Sequence, residues 1–401
     1  MKLLNHTANH DIGFICSYLK TNQEYNEEAA YNFNLNWDSI LKRARQENIT
    51  SLLYRKLMYA RNNQLDIPAG VIDALKEDYY STVAHSMLLL KELNKVLNNF
   101  KSDKIDILVL KGAALLENIY QDIGLRKMTD IDILIRKEAF PKIDKTLKQL
   151  GYLSDYNWAD YMDMSNSQYL NSIYYIKEEG ILSIFLHLHW HIINTVVPAY
   201  AYGNIDIERF WRQARQVNIA GVKTLIMAPH HLLIHLCEHL LKHSYSPFIL
   251  FCDISEVINK YGKDGLDWEL VVTEAVKFNL NRPVYNGLYF TSKFLGVKIP
   301  DGILVRLKPQ HINYGERKIQ AIIENKGGIP ELQYFSYFVM NDSLKKKLKF
   351  ILRSIFPSRN VLALQHKISP QEIKLHHYII KIKTAMVKGS RLLIYLWRQS
   401  I

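Results

Sequence analysis

The stretch RKMTDIDILI, residues 126–135, constrains the fold more than any other part of the chain. Its apolar residues read as a buried strand, yet Asp130 and Asp132 stand one residue apart within it. In an extended chain alternate side chains share a face, so the two carboxylates lie side by side while Ile131 and Ile133 point into the core. Like charges at that spacing are unfavourable unless something positive lies between them, and a divalent cation is the commonest remedy. The alternative is a half-exposed strand whose outer face is acidic. The apolar flanks on both sides, and the strand-glycine-helix pattern that precedes the run, favour the metal.

The segments around this run alternate between the two periodicities. IDILVLKG is short, β-branched and ends in glycine, as a strand entering a turn does. AALLENIYQD then reads as helix, MTDIDILI as strand and FPKIDKTLKQLGY as helix. SQYLNSIYYIK and ILSIFLHLHWHI are two further strand candidates, joined by the turn-like EEG. Before this unit, WDSILKRARQENITSLLYRKLMYA and VIDALKEDYYSTVAHSMLLLKELNKVLNNF carry apolar residues at three- and four-residue steps, with LDIP as a connector. After it helices dominate again, apart from a short hairpin at ARQVNIAGVKTLIMA. PHHLLIHLCEHLLKHS opens with proline at a first-turn position, and SRLLIYLWRQSI reads as a short amphipathic segment. The expected organisation is a helical region over 1–102, an α/β core over 103–215, a helical domain over 216–340 that completes a cleft, and a basic helical tail over 341–401.

With 48% hydrophobic and 22% charged residues in 401, the chain has the balance of a globular protein and nothing that suggests disorder. Cys16, Cys237 and Cys252 form no pair at metal-ligand spacing, and an odd count fits a reducing compartment, so a cytoplasmic location is expected. No apolar stretch has secretory or membrane-spanning length, so no transmembrane segment is expected. The net charge of +12 is uneven: residues 342–401 hold thirteen Lys and Arg against two acids. Such a tail suits nucleic acid, an anionic membrane surface or an acidic partner protein, or is simply a solvated basic face. The 25 tyrosines invite base stacking, but many fall in helix-periodic segments where packing explains them, and no template-binding module is evident.

Quoted whole, VLKGAALLENIYQDIGLRKMTDIDILI resembles the core of nucleotidyltransferases of the DNA polymerase β superfamily. The ordered set LKG, Tyr, Arg and TDIDIL is most similar to an uncharacterised nucleotidyltransferase-like family whose members also carry an H-W strand and a later His-rich helix. FLHLHWHI and HLLIHLCEHLLKHS follow in that order, so the similarity spans about residues 105–300. It implies an α+β fold, a mixed-sheet core of polymerase β type flanked by helical regions. It also implies metal-dependent transfer of a nucleoside monophosphate from an NTP to a hydroxyl or phosphate acceptor, with release of pyrophosphate.

Carried over residue by residue, the resemblance makes Asp130 and Asp132 ligands of Mg²⁺ or Mn²⁺. Gly112 opens a turn into a helix whose free N–H groups hold phosphate oxygens, Lys111 adds a point charge, Arg126 a forked contact and Thr129 a lesser one. Arg126 can instead pair with Asp122. The superfamily usually has Gly-Ser or Gly-Gly where this chain has Lys111-Gly112. It also adds a third carboxylate from a neighbouring strand, and the position aligned to it here is His187. Histidine brings no negative charge and is a poor Mg²⁺ ligand. Either His187 acts as a base, or another acid such as Asp155, Asp163 or Glu178 takes over, or the chain is a nucleotide-binding regulatory or scaffold protein without turnover. The acceptor is a small molecule, a peptide or a protein, and a bacterial biosynthetic role accompanies the resemblance.

His231, His235, His239 and His243 recur every fourth residue and form one slowly rotating helical stripe. Such spacing can ligate zinc. With no HExxH pattern and no cysteine pair beside it, the stripe reads instead as a helix lining the cleft, with one or two histidines toward the substrate. His189 and Trp190 read equally as a buried packing pair or as part of the cleft.

Overall fold

The computed structural model describes residues 2–20, 35–62, 67–154, 171–180, 182–193, 205–325, 331–340, 343–366 and 368–398. The chain opens with helices α1 (Lys2–Leu19), α2 (Trp37–Gln46), α3 (Thr50–Asn62) and the long α4 (Ala69–Ser102). The α/β part follows as β1 (Ile107–Val109), α5 (Lys111–Leu115) with a π-helical turn over Leu116–Tyr120, β2 (Ile131–Ile135), α6 (Phe140–Gln149), β3 (Ser172–Glu179) and β4 (Leu182–His189). After α7 (Ile207–Arg212), the hairpin β5 (Arg215–Ile219) and β6 (Val222–Ile226) leads into α8 (Pro229–Lys242), α9 (Ile249–Tyr261), α10 (Trp268–Lys277) and α11 (Asn281–Leu295). The last helices are α12 (Ile303–Leu307), α13 (Tyr314–Glu324), α14 (Leu332–Val339), α15 (Leu344–Ile355), α16 (Arg359–His366) and α17 (Leu375–Arg398).

The strands form one six-stranded sheet in the order β3-β4-β2-β1-β6-β5. β2 runs parallel to β4 and β1 parallel to β6, while the other neighbours are antiparallel. This is the mixed sheet of the expected α+β class. The hairpin expected at ARQVNIAGVKTLIMA is present, but it belongs to this sheet, which therefore runs on past the expected core limit at residue 215 to Ile226. Of the segment SRLLIYLWRQSI, residues 390–398 are likewise part of a longer helix, the 24-residue α17, and 399–401 lie outside the described residues.

Two apolar cores meet at the sheet, and strand alternation sorts the residues between them. Ile107, Val109, Ile131, Ile133, Leu186 and Leu188 join a core with the second half of α4 and with α6. Leu108, Leu110 and Leu134 point to the opposite face, into a core shared by α1–α3 and the helices after residue 227. The N-terminal helices and the later helical domain thus share one continuous interior. α4 links the two cores: Val71, Ile72 and Leu75 belong to the helical one, Leu89 to Phe100 to the other. Asp132, on the same pleat as Leu134, is carried on the face that the helical core covers.

Candidate functional site

Asp132 is the second residue of β2 and is 5% exposed. A buried carboxylate is costly unless it is paired and hydrogen-bonded, and its three partners come from two elements, α5 and β4. Lys111 Nζ, at the start of α5, lies 3.0 Å from Asp132 Oδ1. His189 Nε2 lies 2.7 Å and His187 Nδ1 3.3 Å from the same oxygen. The register explains the histidines: Asp132 and His187 are direct partners across the parallel β2–β4 ladder, and His189 is two residues on, on the same face. The next strand adds Tyr174, which is paired with His187 and stacks on its ring at 3.6 Å between centroids.

Burial by itself would raise the pKa of Asp132, but Lys111 and the hydrogen bonds from His187 and His189 prevail and hold it well below the usual carboxylate range. Burial brings His187 down to about 4 against the pull of Asp132, and takes His189 well below its ordinary value, with His187 adding to the effect. Both rings are therefore neutral at pH 7, so His189 donates its Nε2 proton to the ionised Asp132. Asp130 sits just before β2 and accepts a hydrogen bond from Thr129 Oγ1 at 3.0 Å. Its pKa is raised, first by burial and then by repulsion from Asp132.

A cavity of about 250 Å³ opens against this cluster and is lined by Lys111, Gly112, Arg126, Thr129, Asp130, Asp132 and His187, all the site residues expected from the sequence. Its lining also includes His239, Lys242 and His243 from the C-terminal end of α8, with Asn48, Pro247, Ile249 and Leu250. Lys127 also lines it, so its walls hold four cationic side chains, Lys111, Arg126, Lys127 and Lys242, against Asp130 and Asp132. Burial, and next the charge of Lys111, lowers Lys242 to about 8. His243 falls to about 4, chiefly through burial and then Lys242.

Several expectations change in detail. Arg126 does not pair with Asp122, which instead accepts from Tyr79 Oη at 3.0 Å and from the Gly124 N–H at 2.9 Å. Its guanidinium is forked onto Asp253 of α9, Nε to Oδ1 at 2.8 Å and Nη2 to Oδ2 at 2.9 Å, and Tyr120 Oη donates to the same carboxylate. Nη1 is the edge nearest Gly112. Gly112 has a packing reason of its own, because a Cβ there would stand 3.0 Å from Met128 Cγ. Lys111, where the superfamily usually places glycine, has φ +36°, a strained angle for any residue with a Cβ. Glu178 lies at the far end of the β3–β4 hairpin, where it accepts from Ser183 Oγ, and Asp155 and Asp163 lie outside the described residues. Trp190 packs near Phe140 in the sheet core, and His189, buried against Asp132, is not among the residues that line the cavity, so the pair follows the buried reading.

Among the described residues two groups have metal-ligand geometry: Asp132 with His187 and His189, and His230 with His231 and Glu274. In the second, Glu274 already carries Arg209, whose Nε lies 3.0 Å away. In the first, Asp130 adds another carboxylate on the cavity side. Two carboxylates suit Mg²⁺ or Mn²⁺, and the neutral imidazoles shift the set toward Mn²⁺ and other transition metals.

Lys242, Tyr174 and Asp253 were not singled out in the sequence. Only the period-two alternation of SIYYIK gave any hint of Tyr174. A family model described as an uncharacterised nucleotidyltransferase matches residues 34–296. No curated protein and no solved structure matches the chain.

Proposed function

The chain belongs to the uncharacterised nucleotidyltransferase family, and on that premise we propose that it moves a nucleoside monophosphate from an NTP to a hydroxyl or phosphate acceptor, releasing pyrophosphate. One observation carries this reading: Asp130, Asp132, Lys111 and Gly112 line a single cavity whose walls hold more cationic than anionic side chains. A triphosphate is the polyanion such a cavity favours, while the two carboxylates give it the one feature a plain anion site lacks.

Asp130 and Asp132 would hold Mg²⁺ or Mn²⁺, with His187 in the place of a third ligand. A bound divalent ion would supply charge neutralisation at the transferring phosphoryl group. Lys242 holds the phosphates, and Lys111 orients them and stabilises the charge that builds on the leaving pyrophosphate. Backbone N–H groups of the first turn of α5, which lack intrahelical acceptors, add donors near Gly112. Arg126, committed to Asp253, positions the loop before β2 more than it contacts substrate. A volume of about 250 Å³ suits the phosphate end of the nucleotide, with the nucleoside extending toward Pro247, Ile249 and Leu250.

The test is pyrophosphate release and label transfer from each α-labelled NTP, with Mg²⁺ or Mn²⁺ and a lysate as acceptor source, beside the Asp130→Ala/Asp132→Ala double variant. Transfer that the double variant abolishes supports the proposal. No transfer despite Asp-dependent NTP binding favours the second reading, a nucleotide-binding regulatory or scaffold protein. The observation behind that reading is that His187 brings no charge and Asp132 Oδ1 is already occupied by Lys111 and His189. His187→Asp separates the two: activity rises if only a carboxylate is missing and falls if His187 serves as base.

A further inference from the structure

The two basic helices near the end of the described chain expose more apolar surface than a solvated face requires. In α17 no residue is buried, and the helix carries Lys381, Lys383, Lys388, Arg391 and Arg398 with no acid between Leu375 and Arg398. Large apolar side chains nonetheless stand in solvent: Leu375 is 76% exposed, Met386 69%, Leu393 68% and Trp397 65%. With Ile379 they recur at steps of 4, 7, 7 and 4, one continuous stripe on a helix. α17 already has a body-side contact elsewhere. Ala385 and Leu392, roughly 110° round the helix from the stripe, line a groove with Phe335 and Phe338 of α14 and with Ile351 of α15. α15 repeats the pattern, with Leu344, Leu348 and Leu352 exposed beside Lys345, Lys346, Lys347, Lys349 and Arg353 and no acid.

We propose that α15 and α17 dock this protein on an anionic phospholipid surface, the apolar stripes entering the acyl boundary and the Lys and Arg side chains meeting the headgroups. The reading stands apart from nucleotidyl transfer. Charge complementarity selects the occupant. A second copy would bring acid-free basic helices against each other, and nucleic acid would leave the apolar stripe in water. A helix of this kind lies in the interface and does not cross it, in agreement with the lack of any described helix long and apolar enough to span a membrane.

Co-sedimentation of the full chain with vesicles tests the proposal. Binding to phosphatidylglycerol-containing vesicles is expected to exceed that to phosphatidylcholine vesicles about tenfold and to weaken with salt. Leu393→Glu/Trp397→Glu, both at exposed positions, is expected to weaken it about tenfold or more while circular dichroism and the melting temperature stay unchanged. Lys383→Gln/Arg391→Gln is expected to reduce the preference for the anionic lipid severalfold, and an unchanged preference overturns the proposal. Equal binding to both vesicles, or no binding by the folded chain, overturns the proposal. So does binding that survives the apolar double variant, or a dimer in light scattering that the variant dissolves, which would assign the stripe to a second copy.

Discussion

The two ends of α8 carry the same residue type and use it in opposite ways. At the N-terminal end, His231 Nε2 lies 2.5 Å from Glu274 of α10, stacks on Phe210 and is fully buried, while His230 meets Gln213 at 2.9 Å. This is a closed knot, completed by Arg209 on the same carboxylate. At the C-terminal end, His239, Lys242 and His243 line the cavity that Asp130 and Asp132 share. His235, between them, is 2% exposed, and neither ring nitrogen has a hydrogen-bond partner among the described residues. A four-residue spacing therefore says that histidines share a stripe, not what they do; the element packed opposite each one decides that. α10 supplies a carboxylate at one end, and the edge of the β2–β4 face supplies a cavity at the other.

Substitutions at the two ends should separate cleanly, and the largest effect belongs to the sheet side of the cavity. Asp130→Asn and Asp132→Asn are each expected to lower kcat/KM for nucleotidyl transfer by about 10³-fold or more, measured by pyrophosphate release, with melting curves as the control for folding. Next comes the closed knot. Glu274→Ala strands Arg209 and His231 and is expected to cost about 3–5 kcal/mol in urea unfolding while leaving KM for the nucleotide unchanged in whatever folds. A change in KM without loss of stability would erase the distinction between the two ends.

At the cavity end the expectation reverses. Lys242→Met should raise KM for the NTP about tenfold with little change in kcat, the signature of lost uniform binding, and should cost little stability. The pH dependence of stability also has two windows. Hydrogen bonds from His231 and Arg209 outweigh burial and hold Glu274 down at about 2, so its contribution is full above the unfolded carboxyl value and is lost as pH falls from about 4.3 toward 2. His243, lowered to about 4 chiefly by burial, binds a proton more readily unfolded than folded, so its contribution is lost earlier, as pH falls from about 6.5 toward 4. Urea midpoints against pH should show both windows, and His243→Gln should shrink only the upper one, which His187 and His230, also lowered to about 4 chiefly by burial, share. The smallest effect is at the middle of the helix: His235→Leu is expected to be neutral or to stabilise by about 1 kcal/mol, because it removes buried polar atoms that have no partner.

Much of the site was legible in local patterns. T-D-I-D-I-L-I and F-L-H-L-H-W both alternate with period two, and that alternation alone puts Asp132, His187 and His189 on the polar face of their strands. What it does not give is register. That His187 stands directly across from Asp132 follows from the pairing of β2 with β4, and that Asp132 Oδ1 is the common partner of Lys111, His187 and His189 follows from α5 folding back over the same strand end. The ion-pair partner of Arg126 is hidden in the sequence for the same reason. Its nearest acid in sequence is Asp122, but its partner Asp253 is 127 residues away, on a helix whose place is set by burial of its apolar side.

By itself, then, the sequence determined the kind of elements and the face each functional side chain occupies. It also determined the order of strand, glycine turn, helix and D-x-D strand that marks the family, because periodicity and turn chemistry act between near neighbours. The tertiary structure decided which of those faces meet. It brought Lys242, His243 and Tyr174 to the carboxylates, closed His231 onto Glu274, joined the N-terminal helices to the later ones in a single core and left the stripe of α17 in solvent. Those outcomes rest on contacts between residues far apart in the chain, where a buried charge is stable only once its partner has arrived and an apolar face is covered only if another element reaches it.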